Sequence, residues 1–108
     1  MVNRGEVWWA ESPVGGRRPY LVMTRQAAIP VLDDVMCVPA TRTVRGIPTE
    51  VPLDEGDGMP EPCALSLDSL TPMPREYLRE RITRLRGERM VEVCRALNTA
   101  LGCRSKTV

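Results

Sequence analysis

The chain contains no histidine and no phenylalanine, and its only aromatic side chains are two tryptophans and two tyrosines. Without histidine, the usual proton shuttle near neutral pH is missing. The H-E-x-x-H zinc motif and every His-bearing metal set go with it. Four cysteines are present, Cys37, Cys63, Cys94 and Cys103, but no two form a C-x-x-C pair. A zinc site is therefore not expected. The thiols read as small buried residues in a reducing compartment, with Cys103, near the C-terminal tail, the one most expected to be exposed. The chain also lacks G-x-x-x-x-G-K-S and G-x-S-x-G, which removes the phosphate-cradling loop and the nucleophile elbow. No segment reaches the roughly 18 apolar residues of a membrane span.

Charge is scarce in the sum but not in the detail. The formal net charge is +1, which argues against an indiscriminate nucleic-acid binder. From Ile47 to Leu70 the charges are Glu50, Asp54, Glu55, Asp57, Glu61 and Asp68, with no basic residue. Within it, the run from Glu50 to Asp57 lacks the spacing of a metal-binding loop and reads as a solvated face. The flanking segments are net basic, and every basic residue except Lys106 is arginine. Arginine suits phosphate through paired donors, although a genomic preference for arginine codons would give the same bias. At 108 residues, residues 1–108 are expected to form one domain, small enough that self-association would add stability. The N-terminus runs straight into a strand pattern without the apolar stretch of a signal peptide, so a cytoplasmic protein is expected.

Strand signals recur at short spacing. They cover Glu6 to Ala10, Arg18 to Thr24 with Pro19 at its start, and Val35 to Ala40. Further ones cover Thr49 to Leu53, Cys63 to Leu67, Leu70 to Met73, and a basic strand or bend from Glu80 to Leu85. Ser12 to Gly16, Arg42 to Pro48 and Asp54 to Pro62 read as loops. Arg25 to Leu32 reads as a short helical turn ended by Pro30, and Tyr77 to Arg79 as a turn. From Gly87 to Leu101, Met90, Val91, Cys94, Leu97, Ala100 and Leu101 fall at helical spacing, opposite Glu88, Arg89, Glu92 and Arg95, with Gly102 as the stop. The order predicts a mainly β (α+β) fold: a small curled sheet or barrel crossed by one C-terminal helix.

Three segments carry a more specific signal. They are Arg4-Gly5-Glu6-Val7-Trp8-Trp9, then Arg18-Pro19-Tyr20-Leu21-Val22-Met23, then Cys37-Val38-Pro39-Ala40-Thr41-Arg42. In this order they resemble the MazF/PemK family of toxin endoribonucleases. Cys63-Ala64-Leu65-Ser66-Leu67-Asp68-Ser69-Leu70 looks like the family's later strand, and the helix agrees. The resemblance implies an SH3-like barrel of the CcdB/PemK type, a homodimer, no cofactor, and an antitoxin partner with an acidic disordered tail. It implies that Arg18 acts at the scissile phosphate and in proton transfer, while Thr41 steadies the transition state. Arg17, Arg42 and Arg45 are candidate phosphate contacts. Trp8 or Trp9 would offer a stacking face, one of the pair being buried by alternation. Ser66 and Ser69 stand where relatives often carry amide side chains, and join the RNA-binding candidates. The loop between the first two strands is shorter than is common in the family and lacks its frequent G-S-E segment.

The chemistry left by the absences fits this expectation. RNA carries its own nucleophile in the 2′-hydroxyl, so an enzyme that holds the backbone in line needs no activated water and no metal. A fixed guanidinium stabilises charge on the phosphoryl oxygens. It is a poor base, since its pKa is above roughly 12. The leading expectation is thus a sequence-selective endoribonuclease toxin that leaves 2′,3′-cyclic phosphate and 5′-hydroxyl ends. The alternatives are a non-catalytic CcdB-like inhibitor of DNA gyrase and a nucleic-acid-binding barrel without chemistry. Arg18 can also be read as a surface arginine beside Arg17, and Thr41 as a strand-end threonine satisfying a backbone group.

Overall fold

The computed structural model describes residues 1–13 and 15–103. Val14, within the loop expected over Ser12 to Gly16, lies outside the described residues. Strands β1 (Glu6–Glu11), β2 (Arg17–Val22), β3 (Asp34–Thr41), β4 (Glu50–Leu53), β5 (Cys63–Ser66), β6 (Thr71–Pro74) and β7 (Leu78–Arg84) precede helix α1 (Gly87–Leu101). The turn expected over Arg25 to Leu32 is a 3-10 turn, Gln26–Val31, with Pro30 inside it rather than ending it.

All the strand pairs are antiparallel, in the order β4-β5-β3-β2-β1-β7, with β6 also on β3. The long β3 organises the sheet. Along one edge it pairs with β2 through Cys37 to Pro39. Along the other it pairs first with β6, through Asp34 to Cys37, and then with β5, through Ala40 and Thr41. Its side chains feed two cores by strict alternation. Val38 and Ala40 join Val7, Leu21, Leu65 and Leu67 on one face. Val35 and Cys37 join Ala10, Val22, Ile29 and Met73 on the other. A strand apolar on both faces must be covered on both, and the sheet curls to do so.

Helix α1 closes the first core with Val93 and Ala96, supported by the half-buried Met90, Leu97 and Ala100. The expected stripe is therefore rotated: Val91 and Leu101 are exposed. Gly102, with φ of 70°, takes the left-handed conformation that ends the helix.

The two ends of the sheet path, β4 and β7, do not pair. Side chains bridge them instead. The 3-10 turn Glu55–Asp57 follows β4, and its Asp57 receives two bonds from Arg89 of α1, Nε to Oδ1 at 2.8 Å and Nη2 to Oδ2 at 3.1 Å. Thr83 of β7 donates to the Asp57 carbonyl at 3.0 Å. The Arg89 hydrogen bonds outweigh burial and hold the Asp57 carboxyl below its ordinary value.

This corrects the reading of the acidic run as a solvated face. Asp57 and Glu50 are both buried. The Glu50 Oε1 accepts from the backbone N–H groups of Arg45 and Gly46, at 2.9 and 3.2 Å. Cys37 and Cys63 are buried, Cys94 is half-buried and Cys103 exposed, all as free thiols. Burial pushes Cys37 up to about 12. Among the described residues no helix is long and apolar enough to cross a membrane. The molecule is mainly β with a C-terminal helix, an SH3-like arrangement fastened by side chains at its open seam.

Candidate active site

The register of β2 on β3 pairs Tyr20 with Pro39, Leu21 with Val38 and Val22 with Cys37. Carried two residues further, the same register sets Arg18 opposite Thr41. Both side chains line one cavity of about 220 Å³, together with Trp9, Arg17, Pro19, Ala40, Arg42, Met59, Pro60, Glu61 and Cys63. That is below the roughly 300–1,000 Å³ of a site for a drug-sized ligand, and suits one phosphate or base of a longer chain.

Two neighbouring arginines enter it differently. Arg17 is committed. Its Nε lies 3.2 Å from Glu11 Oε2 and its Nη2 2.8 Å from Glu80 Oε1, and its guanidinium carbon sits 4.5 Å above the Trp9 ring. The Arg18 side chain has no hydrogen bond or ion pair among the described residues. All its donors are open to a ligand. The hydroxyl oxygen of Thr41 accepts from the backbone N–H of Thr43 at 3.1 Å. Satisfying that backbone group leaves the hydroxyl proton available for donation, so the structural and chemical readings of Thr41 coexist. Arg42 Nε lies 3.7 Å from Glu61 Oε2, and both side chains are more than half exposed.

Arg18, Thr41, Arg17 and Arg42 thus meet in one place. Other sequence candidates do not. Trp8 turns to the second core and donates from Nε1 to Glu6 Oε1 at 3.0 Å. Trp9 takes the cavity position, and neither tryptophan is fully buried. Arg45 pairs with buried Glu50 at 3.6 Å. Ser66 is buried, its Oγ 3.4 Å from that of Ser69, away from the cavity.

The wall formed by Met59, Pro60, Glu61 and Cys63 was not legible as part of a site. Its presence follows from pairing: Thr41 lies opposite Ala64, so the segment just before β5 must border the end of β3. On that wall burial raises the Cys63 thiol, and the charges of Glu61 and Asp57 add to the effect. Among the described residues, no group of three or more His, Cys, Asp and Glu is placed to hold a metal.

A curled sheet with an arginine and a threonine at adjacent strand ends defines a class, and comparison with known proteins agrees. The family model for the PemK-like, MazF-like toxin of type II toxin–antitoxin systems matches residues 3–101. The chain belongs to that family. It is 44% identical over 101 residues to the probable endoribonuclease MazF5 of Mycobacterium tuberculosis, covering 93% of each chain. It is 39% identical over 103 residues to the probable endoribonuclease MazF2 of the same species, covering 94% of this chain and 100% of that one. Solved structures share the fold, as two mycobacterial examples illustrate. One is an endoribonuclease in complex with its cognate antitoxin from a mycobacterial species, with a TM-score of 0.86 at 25% identity over 98% of this chain and 100% of that one. The other is the M. tuberculosis toxin MazF-mt6, with a TM-score of 0.84 at 30% identity over 92% of this chain and 98% of that one.

Proposed function

We propose that this toxin is a metal-independent endoribonuclease that cleaves single-stranded RNA by attack of the substrate's own 2′-hydroxyl. The observation that carries this reading is the meeting of the uncommitted Arg18 and the Thr41 hydroxyl in one cavity. A phosphate seated there would have both groups aimed at its non-bridging oxygens, where negative charge grows during transfer. The O2′–P bond forms as P–O5′ breaks, leaving a 2′,3′-cyclic phosphate and a 5′-hydroxyl. Arg17 and Arg42 would hold neighbouring phosphates, and Trp9 a base. Arg45, Ser66, Ser69 and Trp8 would contact RNA only outside this cavity.

The relatives' description as endoribonucleases supports the reading, as does a neighbour solved with its antitoxin. On this reading the 108 residues act in the cytoplasm as a single domain. They pair as a homodimer of about 24 kDa, twice the 12.1 kDa chain. They are silenced by an antitoxin whose acidic disordered tail folds into the arginine-bearing cavity.

The test uses purified protein, a defined transcript and EDTA. Cleavage should persist with the metal removed, from a species sedimenting at the dimer mass. Arg18→Ala and Thr41→Ala should each lower the rate at least about 100-fold while remaining folded. Strict dependence on a divalent metal would reject the mechanism. Full activity in both variants would remove the site assignment.

A further inference from the structure

The reaction proposed above still needs something to take the 2′-hydroxyl proton. Arg18 is not suited to that task, since a guanidinium offers no acceptor lone pair near neutral pH. Glu61 is the sole carboxylate among the residues lining the cavity. Its charge reaches the cavity wall, where it contributes to raising the Cys63 thiol. The other nearby carboxylates are committed. Asp57 is clasped by Arg89, Glu50 is buried under the Arg45 and Gly46 backbone, and Glu11 and Glu80 hold Arg17. Glu61 has a single partner, Arg42, at 3.7 Å between two largely exposed side chains. A pair of that kind is weak and readily exchanged.

Resting on that functional reading, we infer that Glu61 is the general base of the reaction. When RNA enters, Arg42 moves from Glu61 to a phosphate oxygen, and Glu61 Oε2 faces the 2′-hydroxyl. The proton passes from O2′ to Glu61 as the O2′–P bond forms. The P–O5′ bond breaks, and the departing 5′-oxygen takes a proton from solvent water. Glu61 then returns its proton to solvent, so atoms and charge balance without a co-reactant. A carboxylate oxygen carries acceptor lone pairs, which a guanidinium lacks. The charged and titratable groups that share the cavity lining with Glu61 are Arg42 just after β3, Arg17 and Arg18 on β2, and Cys63 at the start of β5, while Asp57 on the preceding turn acts with Glu61 on the Cys63 thiol.

The experiment compares the full-length wild type with Glu61→Gln, Glu61→Asp, Arg42→Ala and the Glu61→Gln/Arg42→Ala double variant, on a defined single-stranded RNA across pH. Glu61→Gln keeps the shape and removes the base. It should lower kcat about 100-fold or more, the usual share of a general base, with KM changed by less than about threefold. It should also abolish the acid-side limb of the wild-type pH–rate profile. Glu61→Asp should recover part of the rate. Arg42→Ala should act mainly on KM, and the double variant should lose more than either single one.

Were Glu61 there only to hold Arg42, Glu61→Gln and Arg42→Ala would lose the same amount, and the double variant no more. That pattern, or wild-type kcat in Glu61→Gln, overturns the assignment while leaving the endoribonuclease reading intact. Intact RNA with the wild-type protein would instead sink the functional reading itself.

Discussion

Arg17 and Arg18 are adjacent in the chain and identical in chemistry, yet one is bound on three sides and the other on none. The difference arises from the strand period. Arg17 lies across from Glu11 of β1, within reach of Glu80 of β7 and above Trp9. The Arg18 side chain alternates away from Glu11 and Glu80 and makes no ion pair among the described residues, although it shares its cavity with Glu61. Local sequence could nominate Arg18 through the following Pro19, but its lack of partners is a property of three strands at once. Glu61 was invisible for the same reason: it reads as one acid in an acidic run until pairing carries it beside Thr41. Gly58 is a further residue whose role lies in another segment. Its φ is +92°, and an added Cβ would collide with Thr83 Oγ1. The left-handed backbone costs a side-chain-bearing residue about 1–2 kcal/mol, and displacing Thr83 would add the loss of its bond to Asp57. Gly58→Ala should therefore destabilise by roughly 2–4 kcal/mol, read as a lower urea midpoint. Thr83→Ala in the same chain should return part of the loss. A variant as stable as the parent would show that the turn relaxes freely.

Strands and helix were legible wherever a period ran unbroken. Strand-forming residues between turn signals located the strands to within a few residues, except that β7, read as a strand or bend from Glu80 after a turn at Tyr77 to Arg79, already begins at Leu78. The helix ran from Gly87 to Leu101 as its spacing and Gly102 indicated. Its buried face was misjudged. Val91, Cys94 and Leu101 are apolar and fall on a helical stripe, but the line of closest approach to the sheet runs through Val93 and Ala96. Composition cannot distinguish these faces when both carry apolar residues; the clasp of Arg89 on Asp57 accompanies the observed rotation, and that partner lies 32 positions upstream. A matched pair of substitutions reads the choice directly. Val93→Ala removes two methyl groups from a fully buried position, which should cost about 2 kcal/mol. Val91→Ala, at a position 56% exposed, should stay within about 0.5 kcal/mol. Equal losses in chemical denaturation would contradict the helix orientation.

At the scale of the whole molecule, two carboxylates fasten elements distant in the chain. Glu6 of β1 accepts from Asn3, from Trp8 and from Arg81 of β7. Burial alone would raise its pKa, but those hydrogen bonds prevail and hold it below the usual glutamate value. Asp57 is held low first by Arg89 and closes the seam between β4 and β7. A carboxyl depressed in the folded state contributes stability above its unfolded pKa and loses it as pH falls through the folded pKa. For both groups that loss begins below about pH 4, where unfolded carboxyls take up protons. Arg89→Met alters this dependence in a particular direction. At pH 7 it leaves Asp57 charged and buried without its clasp, which should cost roughly 3 kcal/mol, the low end for a broken buried pair because Arg89 is itself partly exposed. Without Arg89, burial becomes the largest influence on Asp57, opposed only by the Asp54 backbone bond and the charge of Arg86, so protonation costs the variant less than it costs the parent. Urea midpoints of the two proteins should therefore lie far apart at pH 7 and converge toward pH 3.5. A separation that stays constant across that range would mean that Arg89 acts by packing alone and that Asp57 does not fasten the seam through its charge.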